Sequence, residues 1–403
     1  MDTRSPSWEW KWLTLLLGVL AVVSVAQGCR TALSPTGSLD FGLTLKAATT
    51  LLHENPYRAD IHQALKGLAT RPVPNQPQAE NPYPAIALQA PSALALLWPL
   101  VPLSWPAAKL VWLILNLGFT AGTLRLAFRR YLPGRSRWDY AGLTSLLLAG
   151  FPWRVVIGNG QHVMAALFFF LLATEMADRG HRMWAGLALA ASFVKYSVSL
   201  FLLPLFIAKR QWGPLVLALG GHALATVAIA ARLGENPVVL MAQSLAATGR
   251  TVTSWGYIDL FAAADAGNIP VAIAITAAAM LTTASLWLAY RRRPPEPVFV
   301  SLLCLLALVV VYHRFYDLVI LVVPLIIVAG APRDRLLQLL LCFAVVTSGF
   351  VSRFILWLPQ DLVQPMLMVC RIVVAVTVYA TLGLLLCRAA RGSNSSARPI
   401  QRP

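Results

Sequence analysis

The stretch SLDFGLTLKAATTLLHENPYRADIHQALKGLATRPVPNQPQAENPY, residues 38–83, decides how the rest of the chain is interpreted. It is the only long polar segment in an otherwise apolar chain, and it follows the first hydrophobic run directly. Asp40 opens a helical pattern in which apolar side chains recur on one face. Those side chains are Phe41, Leu45, Ala48 and Leu52. The pattern predicts a short amphipathic helix that stops before Pro56, because the residue preceding a proline disfavours helix.

The composition defines the class of protein. The chain is 58% hydrophobic and only 12% charged, with a mean hydropathy of +0.67, whereas soluble domains carry about 25% charged residues. Uninterrupted apolar runs such as 165–173 and 298–311 favour helices over the alternating pattern of a membrane β-barrel. The sequence therefore predicts an all-α, polytopic integral membrane protein.

The net charge of +17 comes from basic clusters in the short segments between apolar runs. The positive-inside rule accounts for such clusters, and they also suit anionic lipid headgroups. We therefore expect membrane lipids as partners and no nucleic acid. None of the five cysteines forms a Cys-x-x-Cys pair, so their spacing predicts neither a disulfide framework nor a metal site.

Placing the basic clusters in the cytoplasm sets the predicted topology. The chain then forms one polytopic domain over residues 1–387, a helical bundle of about twelve transmembrane helices with both termini cytoplasmic. Residues 28–88 and 231–268 become the first and second outer loops, and 388–403 a basic, disordered cytoplasmic tail. The helix that begins at Asp40 is expected to lie on the membrane surface after the first span.

Two segments do not fit simple crossings. Residues 85–103 are apolar but contain three prolines, so they are predicted to be re-entrant or interfacial. Residues 184–207 have basic residues near both ends, which predicts two short half-spans with Lys195 near the turn between them.

This topology brings the unusual polar residues to the outer face. Charged groups near membrane depth are costly and mark functional sites, so their convergence predicts one site there. The residues concerned are Asp40, Tyr57, Arg154, Gln161, His162, Lys195, His313, Arg314, Tyr316 and Asp317.

Six short motifs occur in a characteristic order between about residues 39 and 324. They are Asp40-Phe41 after the first span, Asn55-Pro56-Tyr57, the proline-marked segment 91–103 followed by Trp112, Gly160-Gln161, Ala185-Gly186 leading to Lys195-Tyr196, and Tyr312-His313 with Tyr316-Asp317-Leu318. In this order the chain resembles glycosyltransferase family 87, a group of polyprenyl-phosphate-dependent enzymes with the GT-C fold.

The resemblance implies a GT-C-like bundle in a bacterial inner membrane with its active site on the periplasmic side. It implies transfer of a mannose-like hexose or a pentose from a polyprenyl-phosphate donor to a hydroxyl of a glycolipid or glycan acceptor, with inversion at the sugar. Both outer loops are then periplasmic. No cofactor and no metal are expected, although a lone aspartate can ligate a divalent ion.

The resemblance also implies roles for the outer residues. Asp40 becomes the base that deprotonates the acceptor. Cations for the lipid phosphate are Lys195, His313, Arg314 and Arg154. Groups for the sugar or acceptor are Tyr57, Gln161, His162, Tyr316 and Asp317. Asp317 is expected either to orient His313 or to pair with Arg314.

Other interpretations compete with these. Asp40 is equally suited to be a helix N-cap, and Lys195 to extend along apolar surface toward an interface. The whole chain is alternatively a transporter or lipid flippase, although transporters often show internal repeats and this chain shows none. A non-catalytic scaffold on an enzyme fold is a third possibility.

Overall fold

A computed structural model describes residues 7–58, 89–255, 258–311, 313–331, 334–355 and 359–391. Every regular element in these ranges is helical, which confirms the all-α class. Residues 59–88 of the predicted first outer loop and most of the predicted disordered tail lie outside the described residues. The last helix continues to Arg391, a few residues beyond the predicted start of that tail.

The first half of the described chain contains helices α1 to α8. They are α1 (Trp8–Leu33), α2 (Leu39–Thr50), α3 (Pro91–Ala95), α4 (Trp105–Tyr131), α5 (Arg137–Ala149), α6 (Phe151–Asn159), α7 (Val163–Asp178) and α8 (Arg182–Ser192).

The second half contains helices α9 to α18. They are α9 (Tyr196–Ala208), α10 (Trp212–Leu233), α11 (Pro237–Trp255), α12 (Leu260–Ala266), α13 (Val271–Arg292), α14 (Glu296–Val310), α15 (Val322–Ala329), α16 (Arg335–Val346), α17 (Ser352–Ile355) and α18 (Gln360–Arg391). Short 3₁₀ turns at Pro56–Arg58, Trp98–Leu100, Phe193–Lys195 and Phe315–Leu321 complete the part that concerns the site.

Among the described residues, six helical segments are long and apolar enough to cross a membrane. A seventh arises if α5 and α6, which meet at 66°, form one bent span. The chain is therefore a multi-pass membrane protein. Further apolar helices of 10–17 residues are shorter than this criterion, so the count of about twelve crossings stays a prediction.

One of the six segments, Arg182–Ala208, doubles back on itself. Lys209 at its end forms an ion pair with Asp178, which precedes its start. A straight helix of this length would hold its two ends about 40 Å apart. The chain reverses at the 3₁₀ turn before α9, where Lys195 has non-helical angles of φ −131° and ψ 84°. This geometry agrees with the predicted pair of half-spans with Lys195 at the turn.

An ion-pair cluster ties together one end of the bundle. Arg130 at the end of α4 contacts Asp178 at 2.6 Å and Glu296 at 2.5 Å, and Lys209 contacts Glu296 at 3.0 Å. Four helices therefore meet here: α4, α7, α9 and α14. These ionic side chains belong to the segments that the sequence places in the cytoplasm.

The same four helices carry Trp112 and three predicted site residues at their other ends. Trp112 lies near the start of α4, His162 precedes α7, Lys195 precedes α9, and His313 follows α14. Along α4, Trp112 and Arg130 are about 27 Å apart at roughly 1.5 Å per residue, close to the ~30 Å thickness of a bilayer core. The ionic cluster and the candidate site thus occupy opposite ends of these helices.

Helix α2 differs from its predicted position on the membrane surface. Phe41 and Ala48 are fully buried and Leu45 is 5% exposed. The Phe41 ring stacks on Trp112 with centroids 5.0 Å apart and on Trp105 at 5.9 Å. The apolar face of α2 therefore packs into the bundle instead of facing lipid, and this packing brings Asp40 to the site.

The segment predicted to be re-entrant or interfacial contains only short helical turns where it is described. Helix α3 has five residues, of which Pro91, Ser92, Ala93 and Leu94 are buried. A three-residue 3₁₀ turn, Trp98–Leu100, follows. Neither is long enough to cross a bilayer core, in agreement with the prediction.

Candidate functional site

The turn between α6 and α7 is held in place by side chains of α4. Gly160 closes α6 in the left-handed conformation, with φ +67°. Trp112 Nε1 donates to the Gly160 carbonyl at 2.8 Å, and Asn116 Nδ2 donates to the Gln161 carbonyl at 3.1 Å. With its backbone fixed, the turn presents the side chains of Asn159 and Gln161 to Asp40.

Asp40 is the acceptor on which these side chains converge. Gln161 Nε2 and Asn159 Nδ2 both donate to Asp40 Oδ2, the latter at 3.4 Å. Arg314 Nη1 lies 3.7 Å from Oδ1, and the Tyr316 side chain is a further hydrogen-bond partner. The carboxylate side chain remains 16% exposed, so a substrate can reach it.

The helix N-cap interpretation of Asp40 is wrong. Helix α2 begins at Leu39, its N-cap is Ser38, and Asp40 lies within the first turn. The Ser38 hydroxyl donates to the Ala32 carbonyl at 3.1 Å and does not cap α2. The Asp40 carboxylate is instead engaged by side chains from α6, the following turn and the segment after α14.

Asp317 is the second acid of the site, and it gathers three groups. Lys195 Nζ contacts Asp317 Oδ1 at 2.5 Å. His313 Nδ1 lies 3.0 Å from Oδ2, and the Arg314 backbone N–H donates to the same oxygen at 3.2 Å. Lys195 Nζ also lies over the Tyr316 ring, 5.5 Å from its centroid. Asp317 therefore orients His313, while the Arg314 side chain faces Asp40.

The site has a front layer and a back layer. In front, the side chains of Asp40, Lys195 and Arg314 are 16%, 17% and 25% exposed. Behind them, Asp317 and His313 are only 3% and 1% exposed. Groups in the front layer can touch a ligand directly, whereas those behind act through the front layer.

The pKa values of the two acids, Asp40 and Asp317, are shifted in opposite directions. Burial raises the pKa of Asp40 above its ordinary value, although Arg314 and Lys195 offset part of this effect. Burial by itself would also raise the pKa of Asp317, but Lys195 and His313 beside it hold that pKa well below the usual range. Asp317 therefore favours its anionic form strongly, and Asp40 is the more readily protonated of the two acids.

His162 is present as the neutral imidazole. Its side chain is 3% exposed, and its ring centroid lies 4.8 Å from that of Trp112. Burial, with a smaller effect from Lys195, lowers the pKa of His162 to about 3. A neutral ring is suited to hydrogen bonding or stacking and not to pairing with a phosphate.

Tyr57 and Arg154 border the site. Tyr57 is 4% exposed and donates to the Gln89 carbonyl at 2.6 Å. Burial raises its pKa, and nearby Tyr196 raises it further. Arg154 Nη1 donates to Gln27 on α1 at 3.0 Å and lies over the Phe151 ring. The contacts of Arg154 thus link α6 to α1.

Asp259 is a site residue that the sequence interpretation missed. It is fully buried, caps α12 by accepting from the Ala262 N–H at 3.0 Å, and accepts from the His313 backbone N–H at 3.4 Å. It therefore holds the segment that carries His313 and Arg314. A lone aspartate directly before the helix-forming run 260–266 was the available signal.

Gly160→Ala is expected to destabilise the protein more than the same change at Gly234, which closes α10 with φ +66°. An added Cβ at Gly160 would lie 2.7 Å from Phe41 Cβ, whereas at Gly234 it meets nothing within 4 Å. Both variants share the cost of a left-handed alanine, about 1 kcal/mol. Thermal unfolding in one detergent measures the difference, and equal losses of Tm would contradict a clamped turn.

No group of three His, Cys, Asp or Glu side chains in the described ranges is arranged to hold a metal ion. Asp40 and Asp317 are engaged by cations and amides of the protein. The expectation that transfer needs no resident metal stays a prediction.

The fold and site define a multi-pass helical membrane protein with two acids and two cations gathered at one end of its bundle. The chain belongs to glycosyltransferase family 87, whose family model matches residues 88–312, more than half of its length. The match includes Gln161 and Lys195 but ends before His313 and begins after Asp40. No curated protein and no solved structure matches the chain. It is therefore a membrane glycosyltransferase.

Proposed function

We propose that this protein is an inverting, GT-C-like glycosyltransferase of the bacterial inner membrane. It moves a mannose-like hexose or a pentose from a polyprenyl-phosphate donor to a hydroxyl of a glycolipid or glycan acceptor at the periplasmic face. The bundle has about twelve crossings and cytoplasmic termini. The observation that carries the proposal is a partly exposed carboxylate, Asp40, facing Arg314 and Lys195 in a chain of this family.

Asp40 acts as the general base. It takes the proton of the acceptor hydroxyl as the acceptor oxygen attacks the anomeric carbon. The bond from that carbon to the phosphate oxygen breaks, and its electron pair goes to the polyprenyl phosphate. A single displacement of this kind inverts the anomeric centre. Asn159 and Gln161 orient the carboxylate throughout, since their amides donate to one of its oxygens.

Arg314 and Lys195 stabilise the leaving phosphate. As Asp40 gains a proton it loses its charge, while the phosphate gains one. Arg314, 3.7 Å from Asp40 in the resting site, is thereby released toward the phosphate as negative charge develops there. The net charge of the site together with the bound phosphate therefore stays the same through the step. Arg154 at the border of the site is a further phosphate contact.

His313 and Asp317 support the cations from behind. Asp317 bonds to Lys195 and to His313, and both Asp317 and His313 are almost completely buried. This burial favours a positioning role for His313 instead of direct phosphate contact. Tyr57, His162 and Tyr316 are left as neutral groups for sugar hydroxyls. No described contact favours the transporter or lipid-flippase alternative.

A donor screen tests the proposal. Membranes that overexpress the protein are given a panel of radiolabelled polyprenyl-phosphate sugars, and label transferred to endogenous acceptors is counted. We expect one donor to be used and the new linkage to have the anomeric configuration opposite to that of the donor. Membranes with the Asp40→Asn variant provide the background. Absence of transfer from every polyprenyl-phosphate sugar would refute the donor class.

The acid limb of the pH–rate profile should lie above the ordinary aspartate value of 3.8, because burial raises the pKa of Asp40. Only the carboxylate accepts a proton, so kcat/KM falls as pH drops through that raised pKa. Arg314→Gln removes the largest influence that lowers this pKa, and the limb should move to still higher pH. Arg232→Gln, an exposed arginine on α10, is the control. An unmoved limb in Arg314→Gln would contradict the pairing.

A further inference from the structure

A second polar cluster adjoins the charged site one helical turn along α2. We name it the amide cluster, and its members are Thr44, Asn55, Tyr57, Gln89, Gln243 and Ser244. All six side chains are uncharged at neutral pH. They come from four separate segments: α2, the 3₁₀ turn after it with the residue before that turn, the short stretch before α3, and α11. A cluster assembled from segments so distant in sequence is a specific product of the fold.

Gln89 is the centre of the amide cluster because two hydroxyls hold its backbone. Tyr57 donates to the Gln89 carbonyl at 2.6 Å, and Ser244 donates to the same oxygen at 3.3 Å. Asn55 ties this region to α11 through a 2.7 Å hydrogen bond to Gln243. The position of Gln89 is therefore set from both sides.

The direction of hydrogen bonding fixes the orientation of the Gln89 side chain. Thr44 donates its only hydroxyl proton to the Asp40 carbonyl at 2.8 Å. Its oxygen must then act as acceptor toward Gln89, which matches the Gln89 Nε2 donor at 3.2 Å. A flipped amide would place two acceptors against each other. Gln89 Oε1 consequently points away from Thr44.

Gln89 Oε1 is buried and has no hydrogen-bond partner among the described residues. A buried acceptor left unpaired is costly, and each such group in a native structure calls for an explanation, such as an ordered water, an ion or a ligand. The missing partner has to be a donor. Carboxylates and phosphates at neutral pH present only acceptors to a carbonyl oxygen, so they would be repelled here.

We propose that Gln89 determines acceptor specificity, with its Oε1 accepting a hydrogen bond from a hydroxyl of an uncharged sugar in the acceptor. The inference rests on the proposed function, because it places the acceptor beside Asp40. The charged half of the site takes the donor phosphate, and the amide cluster takes the neutral acceptor. A site built to pair with a hydroxyl rejects analogues that lack it or replace it with an anion. A neighbouring side chain has to shift for the hydroxyl to reach the buried oxygen.

The test uses octyl hexosides as acceptor probes. Binding of octyl glucoside, octyl mannoside, octyl galactoside and octyl glucuronide is measured to the full-length protein in lipid nanodiscs. We expect at least one neutral hexoside to bind about tenfold or more tightly than the glucuronide. Gln89→Met keeps the side-chain length but removes the acceptor, so it should weaken hexoside binding about tenfold, whereas glucuronide binding should not weaken because the repelling oxygen is gone.

Gln338→Met is the matched control. Gln338 lies on α16 and donates to the carbonyl of Val328 on α15 at 3.0 Å and to that of Ala331, in the loop between the two helices, at 3.2 Å. Its loss should leave hexoside binding as in wild type. Wild-type selectivity is measured without any variant, so a misfolded Gln89→Met does not block the test.

Three results would overturn the inference: glucuronide binding as strong as that of every hexoside, no hexoside binding, or a Gln89→Met variant that binds like wild type. Failure of the proposed function looks different. In that case neutral hexosides still bind through Gln89, but no polyprenyl-phosphate sugar is consumed in the donor screen. If sugar transfer proceeds but Gln89→Met binds hexosides with full affinity and selectivity, only the inference about Gln89 is refuted. The proposed function then stands.

Discussion

Asp40→Asn should reduce the rate of sugar transfer by about 10²- to 10⁴-fold, the usual contribution of a general base. The amide has the same shape as the carboxylate but cannot accept the acceptor proton. Gln161 and Asn159 can still place a donor on its carbonyl oxygen, so the side chain should stay in position. Single-turnover transfer from a radiolabelled polyprenyl-phosphate sugar measures the chemical step apart from product release.

Asp265→Asn provides the control for this change. Asp265 lies exposed on α12, near the buried and structurally important Asp259. Its replacement removes one negative charge outside the candidate site, and transfer should continue at the wild-type rate. If Asp40→Asn transfers sugar as fast as Asp265→Asn, another group is the base. Similar thermal unfolding of both variants shows that any loss is chemical.

The parts of the fold that follow from the sequence depend on local chemistry. Apolar composition and uninterrupted runs predict helices in a membrane, and the basic clusters correctly predict which helix ends meet. The sequence also predicts that residues 184–207 double back near Lys195, because basic residues near both ends place those ends on the same side of the membrane. The spacing of His313 and Asp317 likewise places both in one short segment, where their side chains meet at 3.0 Å.

The sequence pattern of α2 does not predict whether its apolar face packs against protein or against lipid. Hydrophobic periodicity reports that Phe41 and Leu45 avoid water, but protein and lipid replace water equally well. Residues distant in sequence, among them the tryptophans of α4, decide that this face turns inward. The membrane-surface prediction failed for this reason, although the helix itself begins and ends close to the predicted positions.

Asp259 and Gln89 illustrate a second limit. Asp259 has the sequence signature of an ordinary helix cap, and it is one; its contact with the His313 backbone adds a role that spacing does not reveal. The orientation of Gln89 follows from Thr44. The Thr44 hydroxyl donates its proton to the Asp40 carbonyl on α2 and therefore accepts a hydrogen bond from Gln89 Nε2. Roles that depend on the direction of a hydrogen bond between distant segments require the three-dimensional arrangement.

Replacing Lys195 and Asp317 singly and together is expected to separate the effect of their ion pair on stability from the effect of Lys195 on activity. Lys195→Met removes a cation from the leaving phosphate and should lower kcat about 10²- to 10³-fold. Asp317→Asn leaves the Lys195 charge without its 2.5 Å partner. Breaking a largely buried pair on one side costs up to about 3–5 kcal/mol of stability, so both single variants should unfold at a lower Tm than wild type.

The double variant separates positioning from phosphate binding. With Lys195→Met and Asp317→Asn combined, no uncompensated charge remains, so Tm should recover most of the loss seen in Asp317→Asn alone. Transfer should stay at the level of Lys195→Met, because the phosphate still lacks its cation. Recovery of activity together with stability would mean that Lys195 serves only to neutralise Asp317. A double variant as unstable as Asp317→Asn would contradict this explanation. The stability would then come from the hydrogen bond between Asp317 and His313, and not from the ion pair between Asp317 and Lys195.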